Sequence, residues 1–186
     1  MNLRSLSRSR RILRSLRQRL DGPGEWLLLA RMAGWWAALS LLRTRLGLQT
    51  LARLADPGPS RPALSPAATR RCLRLLDESG LPRRGGCLPR ALVQRRYLLL
   101  AGLQPRLLVG FGPGEANPTA KNSSLASGHA WVELSGQPFL EPPTTPLCYP
   151  PSLVISPESP ALRKIAPTPS PRPPRHAPGL QPLGPV

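Results

Sequence analysis

A chain of 186 residues accommodates one small domain with appendages, not two full ones. Its net charge of +17 invites a nucleic-acid reading. The basic residues, however, are 24 Arg and only 2 Lys amid abundant Ala, Pro, Gly and Leu, a pattern of GC-rich coding, and no aromatic residues interleave with them to stack on bases. Three widely spaced cysteines, with no C-x-x-C and no zinc-ligand spacing among Cys72, Cys87, His129 and Cys148, exclude a disulfide framework and argue against a metal; no cofactor is expected. Free thiols fit a reducing cytoplasm.

Met1 to Asp21 carries seven arginines, with Leu13, Leu16 and Leu20 at helical spacing, and reads as a basic helical extension. Gly22-Pro23-Gly24 breaks that pattern. Trp26 to Leu42 is apolar nearly all round, but 17 residues containing Arg31 fall short of the ~20 needed to span a bilayer. It reads as a buried helix continuing to about Ala55, where Asp56-Pro57-Gly58-Pro59 ends it; membrane contact is conceivable but not favoured. A third helix is expected over Pro66 to Ser79, with Ser65 as its cap and Cys72, Leu73 and Leu76 on its apolar face. After a loop over 82–86, a fourth runs from Cys87 to about Ala101, stopped by Gly102.

The period then changes. Arg106 to Phe111 reads as a strand, Gly112 to Ser127 as a loop, Gly128 to Leu134 as a second strand and Gln137 to Glu141 as a third. From Pro142 onward proline is too frequent for a packed element. The organisation expected is a basic extension over 1–21, a domain over 22–155 and a disordered Pro-rich tail over 156–186. The fold class is α+β, N-terminal helices followed by a helix packed on a small antiparallel sheet.

Gly85-Gly86 turns the chain tightly into the fourth helix, and Pro89 is tolerated in its first turn. Cys87 therefore stands at a helix N-terminus, where the dipole favours thiolate and free backbone N–H groups face an incoming oxyanion. Of two histidines, His176 lies in the Pro-rich tail, so His129 is the available partner. On a strand, His129, Trp131 and Glu133 share one face, directed at the Cys87 helix or a cleft; Ala130, Val132 and Leu134 share the packed face. Trp131 suits a cleft wall or the core equally.

Cys87-Leu88-Pro89-Arg90-Ala91-Leu92, Gly102-Leu103, Leu107-Leu108-Val109-Gly110 and His129-Ala130-Trp131-Val132-Glu133 together resemble the leader peptidase of bacterial lasso-peptide biosynthesis, similar to the C-terminal half of the microcin-processing B protein. That family falls in the transglutaminase-like cysteine protease superfamily, and the resemblance covers roughly Trp26 to Glu141. It implies a transglutaminase-like or papain-like core and a Cys-His-Asp triad that removes a leader from a ribosomal precursor. No aspartate follows Asp77 here. The position matching the family's aspartate is Glu141, with Glu133 as rival. A three-residue hairpin loop, Ser135-Gly136-Gln137, would set Glu141 diagonal to His129 on the same face; a two-residue loop would set it opposite Ala130, on the other face.

The expected activity is thus a cysteine peptidase with Cys87 as nucleophile, His129 as base and acid, and Glu141 aligning His129. The resemblance implies a lasso precursor peptide as substrate, and a separate leader-recognition protein and a lasso cyclase as partners. Two readings compete: a non-catalytic basic adaptor or membrane-associated scaffold, and acyl transfer to an amine.

Overall fold

The structure, a computed structural model, describes residues 19–58, 63–80, 86–112, 127–156 and 163–164. Four longer helices come first: α1 Pro23–Leu42, α2 Leu48–Ala55, α3 Pro66–Glu78 and α4 Cys87–Leu100. Strands β1 Pro105–Gly112, β2 Ser127–Leu134 and β3 Gln137–Pro138 follow, then a single helical turn, α5 Thr145–Cys148, and strands β4 Pro151–Ile155 and β5 Arg163–Lys164. All strand pairs are antiparallel, in the order β3-β2-β1-β4-β5. The fold class is the α+β arrangement expected.

Helix α3 has the anticipated local chemistry. Pro66 occupies its first turn, and the Ser65 hydroxyl accepts a hydrogen bond from the Ala68 N–H at 3.4 Å, a cap of the kind that contributes about 1 kcal/mol. The long helix expected from Trp26 to Ala55 is instead two. The N–H groups of Arg45 and Leu46 both donate to the Leu42 carbonyl at 2.9 Å, tightening the last turn, and Gly47 is extended at φ −70°, ψ 160°. The break lets α2 turn back and bury Leu51, Ala52 and Ala55 in the helical core. Apolar composition all round α1 also overstated its burial: Leu28, Met32 and Leu39 are buried, whereas Leu27 and Leu41 face solvent.

Helix α4 lies on one face of the sheet. Its Ala91, Leu92, Val93 and Leu98 share a core with Leu107, Ala130, Val132 and Ile155 from the strands and with Met32, Leu39 and Leu73 from the other helices. Two arginines anchor it to its neighbours. Fully buried Arg95 pairs with Asp56 at 3.0 Å, and Arg96 lies 4.1 Å over the Trp35 ring while donating to the Ala55 carbonyl.

Two sequence expectations fail downstream of β2. The predicted third strand, Gln137 to Glu141, is ladder-paired only over Gln137–Pro138. And the region after Pro142, expected to hold no packed element, supplies α5 and β4, which pairs with β1 in the middle of the sheet. Proline density misled because Pro150 and Pro151 stand at the start of β4, where a missing N–H is tolerated, leaving Leu153-Val154-Ile155 free to pair. Within the expected tail, Arg163–Lys164 pairs with Val154 and Leu153. The expectations for the basic extension, the loop before Gly86, the 113–126 loop and the rest of the tail fall outside the described residues, apart from Arg19 to Asp21.

The β3–β4 connection runs from one side of the sheet to the other, because β3 lies beyond β2 and β4 beyond β1. It crosses the face opposite α4. Gly110 and Gly112 make room for it: a Cβ on Gly110 would lie 2.8 Å from the Pro150 carbonyl oxygen, and one on Gly112 only 3.1 Å from the Tyr149 ring.

Candidate active site

Cys87 opens α4. Gly86 precedes it at φ +89°, ψ 166°, a conformation that side-chain-bearing residues rarely adopt, so a glycine is required there to swing the chain into the helix. The thiol is half-buried beside the start of β2, with Sγ 3.9 Å from the Gly128 carbonyl oxygen. That proximity has a topological cause. Backbone groups of even-numbered β2 residues point toward β3, and β3 stops short of Gly128 and Ala130. The Cys87 sulfur takes the vacant edge.

Burial alone would push the Cys87 thiol up. Hydrogen bonds from the His129 imidazole and the Ala130 N–H, the imidazolium charge and the residue's own N–H outweigh it, and the thiol ionises below its ordinary 9.0. Cys72 is the internal contrast. Fully buried, donating only to the Glu25 carbonyl at 3.7 Å, it is pushed up by burial to about 11. Cys148 is exposed.

His129 is held on every side. Its hydrogen bonds to Cys87 and then to Glu141, reduced somewhat by burial, raise it from 6.5 to about 9. Nε2 lies 3.4 Å from Glu141 Oε1. The Trp131 ring stacks at 6.0 Å between centroids and the Tyr149 ring at 4.9 Å, and π faces on an imidazolium add to its stabilisation.

The structure therefore brings Cys87, His129 and Glu141 together, but not through the expected register. Glu133 pairs with Pro138 and Leu134 with Gln137, so the hairpin loop is the two-residue Ser135-Gly136, with φ values of 53° and 78°. Continued alternation would have put Glu141 opposite Ala130 and away from His129. Leu140 intervenes with φ 57°, breaking the extended run, and the Glu141 carboxylate swings to the imidazole. Burial raises the Glu141 carboxyl; its bond to His129 and the charge of Arg90 overcome this and hold it below its ordinary 4.5. The rival carboxylate, Glu133, faces Arg106 across the ladder at 3.7 Å. Trp131 is fully buried, but on the face of β2 opposite α4, outside the core that α4 shares with the strands and stacked against His129.

Two neighbours were given no role from the sequence. Arg90, one helical turn after Cys87, places Nη1 on Glu141 Oε1, Nη2 on the Leu140 carbonyl at 2.6 Å and Nε on Asp77 at 2.6 Å. Its spacing of three from the cysteine was the available signal. Tyr149 had none, because it sits in the proline-rich stretch that pattern reading set aside. No group of His, Cys, Asp or Glu suited to a metal ion occurs among the described residues.

A family profile described as transglutaminase-like superfamily matches residues 26–153, from α1 through β4, about two thirds of the chain. The chain belongs to the transglutaminase-like superfamily. That match includes Cys87, His129 and Glu141, and the superfamily includes cysteine peptidases. No curated protein and no solved structure matches the chain.

Proposed function

We propose that this member of the transglutaminase-like superfamily is a cysteine peptidase that removes the leader from a ribosomally made lasso precursor peptide before ring closure. One observation carries the thiol chemistry: a lowered-pKa cysteine at a helix N-terminus in contact with an imidazole that is itself backed by a carboxylate. The leader-peptidase role rests on the motif resemblance around Cys87 and His129. Its substrate and partners follow from that resemblance: the precursor, a separate leader-recognition protein and a lasso cyclase, meeting in the cytoplasm. No helix among the described residues is long and apolar enough to cross a membrane.

The lowered thiol and the raised imidazole favour a resting pair of thiolate and imidazolium. The Cys87 sulfur attacks the scissile carbonyl carbon, and the Cys87 N–H at the helix start faces the oxyanion as it forms. With Nε2 turned to Glu141, Nδ1 is the nitrogen left to deliver its proton to the leaving amine. Water then attacks the thioester, His129 takes its proton, and the Cys87 thiolate leaves, which restores the resting pair. Glu141 keeps the ring oriented and charged without being protonated itself.

The test is leader removal followed by mass spectrometry, with precursor and recognition protein supplied. Cys87→Ala and Cys87→Ser should abolish cleavage while leaving the circular dichroism spectrum intact. Cleavage at full rate by either variant would end the thiol mechanism. Fast alkylation of wild-type Cys87 without any cleavage would retain the thiol and reject the leader-peptide substrate.

A further inference from the structure

We infer that Arg90 is a positioning residue for the imidazole, acting through Glu141: it clamps the longer carboxylate that stands where the resembling family uses aspartate. The inference rests on the thiol-hydrolase reading of the site.

The argument begins with the extra methylene. A glutamate has one more rotatable bond than an aspartate and loses more rotamer freedom when fixed. Its carboxylate keeps a defined place only if something besides the imidazole holds it. Arg90 supplies that hold with a planar fork whose nitrogens have separate partners. Nη1 takes the same oxygen, Oε1, that faces His129 Nε2, and Nη2 takes the Leu140 carbonyl at 2.6 Å. The second contact matters as much as the first. Leu140 is the left-handed residue whose φ of 57° directs Glu141 at the ring, a conformation a leucine adopts only under constraint. The third nitrogen, Nε, lies 2.6 Å from Asp77 Oδ1 on α3, an ion pair without hydrogen-bond geometry that draws the stem of the fork toward α3. The guanidinium and both carboxylates are largely buried, which keeps solvent from screening the arrangement.

Placement on α4 adds a consequence. Cys87 and Arg90 are one turn apart on one helix, so nucleophile and clamp move as a rigid unit. Arg90 pulls Glu141, and Glu141 pulls His129, toward the end of the helix that bears the sulfur.

The test needs no substrate. In a Cys148→Ser background, the pH midpoint of Cys87 alkylation by iodoacetamide reports how well the imidazolium supports the thiolate; Cys72, buried and shifted upward, reacts far more slowly. Arg90→Gln should raise the midpoint by about one pH unit, and Arg90→Lys should recover part of it. Asp77→Asn, which cuts the structural side of the fork, should leave the midpoint within a few tenths of wild type, about the limit of additivity. In a Glu141→Gln background, Arg90→Gln should add no further shift, because the residue it acts through is gone. An unchanged midpoint in Arg90→Gln would overturn the inference. An equal shift in Asp77→Asn would make Arg90 merely structural. A full additional shift in the Glu141→Gln background would make it a direct electrostatic partner of the sulfur, which also overturns the inference. Should Arg90→Gln fail to fold, Arg90→Lys carries the same cycle with the same readings. A wild-type Cys87 that alkylates no faster than an ordinary thiol would remove the thiol-hydrolase reading and this inference with it.

Discussion

The proton between Cys87 and His129 is the residue-scale question with the most chemistry in it. With the thiol lowered from 9.0 and the imidazole raised to about 9, the ion pair is populated from the folded pKa of Cys87 up to about 9. Activity should rise as Cys87 ionises and fall above about 9, where His129 loses the proton it must give to the leaving amine; the two limbs belong to the coupled pair. The stability sign follows separately. His129 is raised, so its contribution is complete below its unfolded value of 6.5 and is lost as pH rises through about 9. With only two histidines in the chain, proton NMR can follow the His129 ring once His176 is assigned by substitution. His129 should titrate near 9 in the wild type and fall toward its ordinary value in Cys87→Ser; no difference between the two would dissolve the ion pair. Glutamine variants of the two candidate carboxylates separate their roles. Glu141→Gln should slow turnover by about tenfold or more, whereas Glu133→Gln, which breaks only a strand-face contact with Arg106, should stay within about threefold. A larger loss at Glu133 would reassign the carboxylate.

At the scale of elements, the connection between β3 and β4 decides whether the site exists, since it carries Glu141 at one end and Tyr149 at the other. Its path needs the bare backbone of β1. Gly110→Ala forces the Tyr149–Pro150 backbone off the strand and should destabilise the fold by about 1–3 kcal/mol, with the loss of activity exceeding the loss of folded protein. Thermal unfolding and a per-folded-molecule rate measure the two; an alanine accepted without change would mean that the connection does not lie where it is drawn. This stretch also marks the boundary of what the sequence told. Helices α3 and α4 were legible because Ser65, Pro66, Gly86 and Gly102 punctuate them locally. The β1–β2 pair was legible from its apolar alternation. Strand β4 was not, because its partner β1 lies some forty residues away and no local signal overrides six prolines nearby. Cys87 and His129 could be chosen by scarcity and setting. Glu141 was reached by matching position while the register supporting it was wrong, since nothing about a leucine announces a left-handed backbone.

For the whole molecule, the surplus of arginine is absorbed unevenly. Every carboxylate among the described residues has a cationic partner: Asp21 and Glu25 with Arg71, Asp56 with Arg95, Asp77 and Glu141 with Arg90, Glu78 with Arg19, Glu133 with Arg106. The pairs of Arg19 with Glu78 and of Arg71 with Asp21 are solvent-facing and contribute little each; Arg71 also reaches the largely buried Glu25 at 2.7 Å, and the pairs at Arg90 and Arg95 tie α4 to α2, α3 and the site. The C-terminal boundary moves too. A chain ending after residue 156 keeps the core but strips β5 from β4, so it should unfold cooperatively a few degrees lower, about 1 kcal/mol less stable, than one ending after residue 165. Equal midpoints in calorimetry would show that β5 adds nothing, and loss of a cooperative transition would show that the core extends beyond it.

A strand has a phase, odd positions to one side and even to the other, and Leu140 slips that phase just before Glu141. Relatives of this chain need not share the slip. One whose corresponding residue stays extended would present its carboxylate to the same imidazole from a neighbouring position. A column-by-column alignment would then score such a protein as lacking its third catalytic group, or credit it with a carboxylate that points into the helical core. Whether a carboxylate meets this imidazole is therefore a matter of backbone hand at one residue before it is a matter of which acid follows.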